Sequence, residues 1–578
     1  MKKTVKKRGQ KFIKRFSRTS EKISQEGQAH IKENLIDKLS NVENVRLLML
    51  EWGLLVVALI MLAITQAFWF ADSYAENSFV AGGNYTEATL GEVDSLNPLF
   101  ATTSSEKTLS RLMFATLSSV DYSGHIGIGL AKTITPTENG KVWVVALRDG
   151  LKWSDGEPIT NEDVVFTAEL IKNPAVNSVY SSNLSKVNVS INENQEIVFT
   201  LPSAYADFMT ALNFPILPKH ILGDADPKKI VEHSFSNAPV TSGAFTFNAT
   251  QSEVNSTEKI FYLSANPNYY KGKLLLDSFE IHTYETKDEI IAALNNGVVT
   301  GTAELSGAES SKVNKNKFGV KNSSLNSGVF MFFNTSHDNV SNVELRKAIR
   351  EGINMEDIRA EAPDNLALDY PLLPSQITLT NYPEIPDYNL ENAKAKVQEL
   401  SDGGQIHLDV ATLNSGYLPK VAEKVKSELE NLGFAVDLTV YEENQDFINN
   451  VISKRGYDIL IYAIELGATP DLIPYYHSSQ ATSSGLNLSN YRNTMVDDSL
   501  LGARSILDES LTVKKYETFL NYWANDVPAI GLYQPNLTYY YNKNTHVFGD
   551  NITLSTTLDR FVDITSWSVA KTTKNKTP

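Results

Sequence analysis

Residues 52–70, WGLLVVALIMLAITQAFWF, run for nineteen positions without a charged side chain. At about 1.5 Å of rise per residue, a helix of this length matches a hydrocarbon layer of roughly 30 Å. Apolar residues occupy all of its faces, whereas a helix covering a globular core needs only one apolar stripe. Trp52, Phe68, Trp69 and Phe70 mark its two ends like an interfacial aromatic belt. The wider run 47–70, with Glu51 near one interface, is therefore expected to be a transmembrane anchor, and everything else must fold on one side of it or the other.

Charge bias sets the orientation. Residues 1–46 hold thirteen Lys or Arg against five Asp or Glu, while the whole chain of 578 residues carries a net charge of −16. The basic segment 1–46 is thus expected in the cytoplasm and the acidic bulk outside. Its alternation of basic and apolar residues (KKRGQKFIKRFSR) suits anionic headgroups better than nucleic acid. A cleaved signal peptide is the competing reading, because Ser73, Tyr74 and Ala75 include small residues, but a 46-residue charged leader is far longer than an ordinary signal-peptide n-region. Cysteine is absent, which removes disulfides, thiolate metal sites, thiol nucleophiles and a thioether-linked lipid anchor together.

Beyond a short polar tether at 71–84, β-like and helical runs alternate without repeats, and the length implies more than one lobe. The clearest block lies at 406–464. IHLDVATL reads as a strand, and LPKVAEKVKSELENLG as a helix with Val421, Val425, Leu429 and Leu432 on one face and Gly433 as its stop. FAVDLTVY is a strand, NQDFINNVISKRG a second helix and YDILIYAI a third strand. Such alternation implies an α/β lobe with a parallel or mixed sheet. KDEIIAALNNG (287–297) and ELRKAIREGINMEDI (344–358) read as further helices. PAIGLYQPNLTYYYNKN, near the end, reads either as an ordinary strand pair or as a ligand-lining aromatic surface.

Catalytic constellations are missing. The chain contains no P-loop, no H-E-x-x-H and no G-x-S-x-G, and its nine histidines, among them His125, His220, His233, His282 and His477, lack metal-ligand spacing. Neither a cofactor nor a metal site is expected, and binding is a better default than catalysis.

LRDGLKWSDGEPITNEDVVFTAELIKNP, residues 147–174, is dense in charge, yet each charge falls on a turn, a cap or a surface. Thr160 and Asp163 have capping-box spacing, Val164, Ala168 and Ile171 form one apolar face, and Asn173-Pro174 closes the helix. Locally this is scaffolding. The same segment closely resembles the signature of the family-5 extracellular solute-binding proteins, the oligopeptide, dipeptide and nickel-binding group that serves ABC importers. Seven further segments follow the family's order: SLNPLF (95–100), APVTSGAFTF (238–247), NPNYYKGK (266–273), DEIIAALNNG, ELRKAIREGIN, YNLENAKAKVQEL (388–400) and YDILIYAIELGATPDLIPYYHSSQ (457–480).

The resemblance implies a class II periplasmic-binding-protein-like α/β fold with two lobes and an extra subdomain, preceded here by one transmembrane helix. Lobe I would be discontinuous, at 85–127, 238–328 and 536–567. The extra subdomain would be 128–237, lobe II 329–535, and 568–578 a tail. It also implies capture of a short peptide between closing lobes and delivery to ABC transporter permease subunits. Peptide-binding members pair an aspartate after the third strand of the second lobe with the peptide's amino group. Here that place is Gly467, with Glu465 two residues before and Asp471 four after. Glu465 is either the replacement anion or a strand-end surface charge, and Asp471 either a ligand group or a helix cap. Phe332 and Tyr533, near the two expected lobe crossings, are each either an aromatic wall or core. A receptor signalling through the transmembrane helix and a surface hydrolase are the alternative functions.

Overall fold

The computed structural model describes residues 42–121, 123–252, 258–442, 447–550 and 552–575. The basic stretch 1–41 and the last three residues of the expected tail lie outside these. A helix Val42–Tyr74 contains a window, Met49–Gln66, of mean hydropathy 1.9 whose side chains are exposed, long and apolar enough to cross a membrane. Towards its end the Thr65 hydroxyl donates to the Met61 carbonyl at 2.7 Å, so this polar side chain is satisfied by its own helix.

Phe79–Lys571 forms a separate compact unit built on three principal sheets. One has seven strands, in the order Phe318–Ser324, Asn536–Asn542, Gly301–Thr302, Asn84–Leu90, Ser278–Tyr284, Lys259–Ala265, Phe245–Ser252. A second has six, in the order Leu366–Ala367, Ala529–Gln534, Ser327–Phe333, Ile459–Glu465, His407–Leu413, Ala435–Tyr441. A third, antiparallel, has four: Ala131–Thr137, Val142–Leu147, Ile197–Thr200 and Asn188–Ile191. This is the α/β fold of the periplasmic binding proteins.

The βαβ block folds largely as its pattern dictates. His407–Leu413 pairs in parallel with both Ala435–Tyr441 and Ile459–Glu465, and Val421, Val425, Leu429 and Leu432 of the covering helix and its cap are buried. Gly433 stops the helix with φ +105°.

Three elements depart from expectation. The run 344–358 is two helices, Val343–Gly352 and Met355–Ala360, because the Asn354 side chain accepts hydrogen bonds from the amides of Glu356 and Asp357 and caps a new start. In the second helix of the βαβ block, residues 443–446 lie outside the described set, and the rest includes a π-helical turn at Ile448–Ile452. Most consequentially, the aromatic run near the end is no hairpin. Ala529–Gln534 belongs to the six-stranded sheet and Asn536–Asn542 to the seven-stranded one. Pro535 lies between them, where a two-residue hairpin turn has no room to form.

The segment 147–174 serves as scaffolding. Asp163, 3% exposed, accepts from the Thr160 amide at 2.7 Å and from the Lys219 amide at 2.8 Å, while Val164, Ala168 and Ile171 are buried. Trp153 is fully buried. Its carbonyl accepts from the Asn268 side chain, and next to it the Ser154 amide pairs with the Thr241 carbonyl. Three of the signature segments therefore converge on one tryptophan.

The seven-stranded sheet is closed by the chain's end. Arg560, 1% exposed, donates through Nε and Nη2 to Glu87 Oε1 at 3.1 and 2.6 Å, and the Tyr539 hydroxyl donates to Glu87 Oε2 at 2.6 Å. Burial, with Glu87 beside them, holds the hydroxyls of Tyr85 and Tyr539 well above the usual tyrosine range. Removing one partner of such a pair strands a charge in a dry interior. Arg560→Met is expected to cost about 3–5 kcal/mol, seen as a lowered denaturation temperature; an unchanged melting curve would contradict this account of the pair.

Candidate functional site

The chain passes between the two large sheets twice, and the two passages lie side by side. Leu325 and Asn326 connect Phe318–Ser324 to Ser327–Phe333, and Pro535 makes the return. The Leu325 amide donates to the Pro535 carbonyl at 3.1 Å, and Gln534 Nε2 donates to the Leu325 carbonyl at 2.8 Å. This pair of strands is the only covalent link the described strands make between the sheets.

At the same end of the six-stranded sheet, the parallel strands His407–Leu413 and Ile459–Glu465 finish. Crevices outside the carboxyl ends of parallel strands are where open α/β sheets bind ligands. The loop after Glu465 is folded back on the crossing: the amides of Leu466 and Gly467 donate to the Asn326 carbonyl at 2.8 and 3.1 Å. Gln376 Nε2 in turn donates to the carbonyls of Leu466, Gly467 and Thr469. One glutamine side chain thereby fixes the whole turn. Gly467 takes φ +74°, the left-handed conformation, with open space where a Cβ would stand. A non-glycine residue is disfavoured there by backbone conformation alone.

Glu465 is exposed at the strand end, and among the described residues no Lys, Arg or His lies within ion-pair distance of it. Its carbonyl accepts the Tyr475 hydroxyl. Burial, then the charges of Glu465 and Asp471, push that hydroxyl above its ordinary range. Tyr417, after the strand His407–Leu413, is likewise pushed up by burial and by Asp364 and Glu309. Two tyrosine hydroxyls thus stand near carboxylates at the carboxyl ends of the parallel strands. Gly307 of the chain between Gly301–Thr302 and Phe318–Ser324 approaches so closely that a Cβ would stand 2.5 Å from the Tyr417 hydroxyl.

The structure gathers some of the expected site residues and separates others. Glu465, Gly467 and Tyr533 share the crossing end of the sheet, Tyr533 being 4% exposed with its hydroxyl pushed up by burial and by Tyr417. Phe332 does not join them. It pairs with Leu460 and Ala529, at the far end of the strand from the crossing, and is 1% exposed, packed 5.5 Å from the Phe330 ring in the lobe's core. Asp471 caps the turn Ile473–Tyr476 by accepting from the Ile473 amide at 3.2 Å, and its other oxygen is engaged elsewhere, by the Tyr205 hydroxyl at 3.2 Å. Tyr417, Gln376 and Asn326 went unread in the sequence. The one local signal was Asn414-Ser415-Gly416, a turn at a strand's carboxyl end. Among the described residues no group of three or more His, Asp or Glu is placed to hold a metal ion.

Two sheets joined by paired crossings, with a polar crevice where the strands end, define a solute-binding protein of the periplasmic-binding-protein type. Comparison narrows the class: the sequence model of the bacterial extracellular solute-binding proteins, family 5 Middle, matches residues 126–485, and the chain belongs to this family. The oligopeptide-binding protein AppA of Bacillus subtilis is 25% identical over 481 residues, which are 79% of this chain and 87% of AppA. Its solved structure, in complex with a nonapeptide, superposes with a TM-score of 0.68 at 22% identity, covering 85% of this chain and 100% of that one. CtaP of Listeria monocytogenes, an ABC transporter substrate-binding protein, gives 0.73 at 22% identity over 84% of this chain and 99% of its own. NikZ of Campylobacter jejuni, solved with Ni(L-His), gives 0.69 at 21% identity over 84% and 99%. Membership of a family of binding proteins sets aside the hydrolase reading.

Two substitutions test the turn. Gly467→Ala is expected to destabilise by about 1 kcal/mol, the conformational term alone, whereas Gln376→Ala, which frees three carbonyls, is expected to cost more and to weaken solute binding. Thermal denaturation with and without solute measures both; a larger effect from Gly467→Ala would mean that the alanine meets a steric obstacle there.

Proposed function

We propose that the protein captures short peptides between its two large lobes and hands them to the permease of an ABC importer, while the apolar helix Val42–Tyr74 holds it on the outer face of the cell membrane. The observation that carries the peptide reading is Glu465: an exposed carboxylate without a cationic partner among the described residues, at the carboxyl end of a central parallel strand and next to the chain crossings. A free amino terminus complements it in charge, and enclosure between lobes strengthens the pair by excluding water. An oligopeptide-binding protein among the relatives supports the same substrate class.

In this reading, lobe I comprises 85–127, 238–328 and 536–567, lobe II 329–535 and the extra subdomain 128–237, with the paired crossings as the hinge. Gly467, standing where peptide-binding relatives are expected to carry aspartate, supplies a turn instead, and the anion moves two residues back to Glu465. The basic segment 1–46 faces the cytoplasm and the tethered lobes work at high effective concentration beside the permease.

Glu465→Gln is expected to weaken binding of peptides with a free amino terminus by about tenfold or more, the worth of one charge-assisted contact. Amino-acetylated peptides should bind wild type and variant alike. Calorimetry with both peptide forms checks this, and an equal loss for the two would remove the amino group from the account. Deleting residues 1–70 should move the protein from the membrane fraction to the soluble one; retention in the membrane would refute the anchor.

A further inference from the structure

The four-stranded sheet is bound to the six-stranded one through the loop that carries Asp471, a few residues beyond the turn tied to the crossing. After the strand Ile197–Thr200 the chain presents Tyr205, Ala206 and Asp207 to three elements of the other body: the loop carrying Asp471, the helix Thr494–Ser505 and the helix Glu509–Asp526. The Tyr205 hydroxyl donates to Asp471 Oδ2 at 3.2 Å, and the Ala206 amide donates to the Arg504 carbonyl at 2.7 Å. The Arg504 guanidinium lies 4.1 Å from the centre of the Tyr205 ring, and its Nε is 3.8 Å from Asp471 Oδ2. Tyr516, 2% exposed, closes the contact from the longer helix.

The charges do not balance. Asp471 pairs with Arg504, and Asp207, next in sequence to Ala206, brings a second carboxylate into the neighbourhood of the same guanidinium; the other titratable groups near the two are the hydroxyls of Tyr205, Tyr475 and Tyr516. We propose that Tyr205, Asp207, Asp471 and Arg504 form a latch that holds the two bodies together when the lobes close, and that a proton taken up by Asp207 fastens it. This rests on the reading of the protein as a closing solute-binding protein, of which it is a regulation.

Burial, and then the neighbouring Asp471, raise the Asp207 carboxyl from 3.8 to about 6 in the latched form. Unlatching returns it to water and to its ordinary value. The latched form therefore binds the proton more tightly, and latching gains as pH falls through about 6 and loses that gain as pH rises through the same value. Between pH 7.5 and pH 5 the ratio of closed to open forms grows roughly tenfold. A cation–π contact and two hydrogen bonds supply the part that does not depend on pH. Asp471, which the sequence offers as a ligand group, is on this account a closure contact.

The absence of cysteine makes the test direct. Asn194→Cys and Asn431→Cys, both exposed positions, one on each body, accept a fluorophore pair in the full chain held in detergent micelles. Single-molecule energy transfer without added solute then counts closed and open molecules. Wild type is expected to show the closed-to-open ratio rising about tenfold from pH 7.5 to pH 5. Asp207→Asn should be closed-rich and flat across that interval, and Arg504→Gln with Tyr205→Phe should lower the closed population at both values. A wild-type ratio that ignores pH, or an Asp207→Asn response equal to that of wild type, overturns the proposal. The wild-type response alone decides it should a variant fail to fold. Because no peptide is present, a protein that bound no peptide at all could still show the effect, and a pH-indifferent protein that bound peptides would lose the latch and keep its function.

Discussion

On the proposed reading, closure of the lobes has to turn about two adjacent strands of backbone. Leu325 and Asn326 going out and Pro535 coming back are hydrogen-bonded to each other, so the covalent links between the two large sheets meet in one doubly pinned place. A joint of this kind permits rotation and resists sliding, because sliding would break the bonds between the passages while rotation only bends them. The candidate site gains its position from the same constraint. The turn after Glu465 is tied to Asn326 by two amides and to Gln376 by three carbonyls, so the exposed carboxylate is mounted on the joint itself rather than on a free loop.

Much of this fold was legible in residue order, since its signals are local. Helical spacing and glycine stops place Leu418–Asn431 and Lys287–Asn296 within a residue or two, and the alternation of elements announces the parallel part of the six-stranded sheet. What escaped was decided at a distance. The strands on either side of Pro535 are both β-prone, and nothing in their composition says that they go to different sheets. The break at Asn354 depends on an asparagine choosing to cap instead of pointing to solvent. In the site, Glu465 and Gly467 could be nominated from a family pattern, but Gln376 and Tyr417 act from 89 and 48 residues away from Glu465, a relation carried by packing and invisible to spacing. Phe332 lies away from the crossing and takes the core alternative for a simple reason: a strand that starts at a crossing carries its later residues away from it, at about 3.3 Å each.

Electrostatics divides the molecule into three regimes. In the seven-stranded sheet a carboxylate and a guanidinium are paired in full burial, which fixes structure. At the end of the strand Ile459–Glu465 the Glu465 carboxylate is left exposed without a cation among the described residues, which keeps its charge available for a partner. Between the four- and six-stranded bodies Asp471 meets Arg504 with Asp207 close by, an arrangement whose energy, on the latch proposed above, depends on a proton. The same residue types thus brace, attract or switch according to how much water and how much opposite charge surrounds them.

The pairing of Glu87 with Arg560 also bears on how such a chain can be made. The first strand of the seven-stranded sheet, Asn84–Leu90, comes early in the chain, yet its buried carboxylate is neutralised by a residue 473 positions later. The six-stranded sheet likewise waits for Ala529–Gln534. By contrast, all strands of the four-stranded sheet lie within Ala131–Thr137 and Ile197–Thr200 and the chain between them. A chain emerging amino end first can complete this small sheet early, while both large sheets stay unfinished until Ala529–Gln534 and Asn536–Asn542 have been made. For much of its synthesis the molecule is a folded island between two open-edged halves, and the strands exposed in that interval are the ones a folding helper would have to shield.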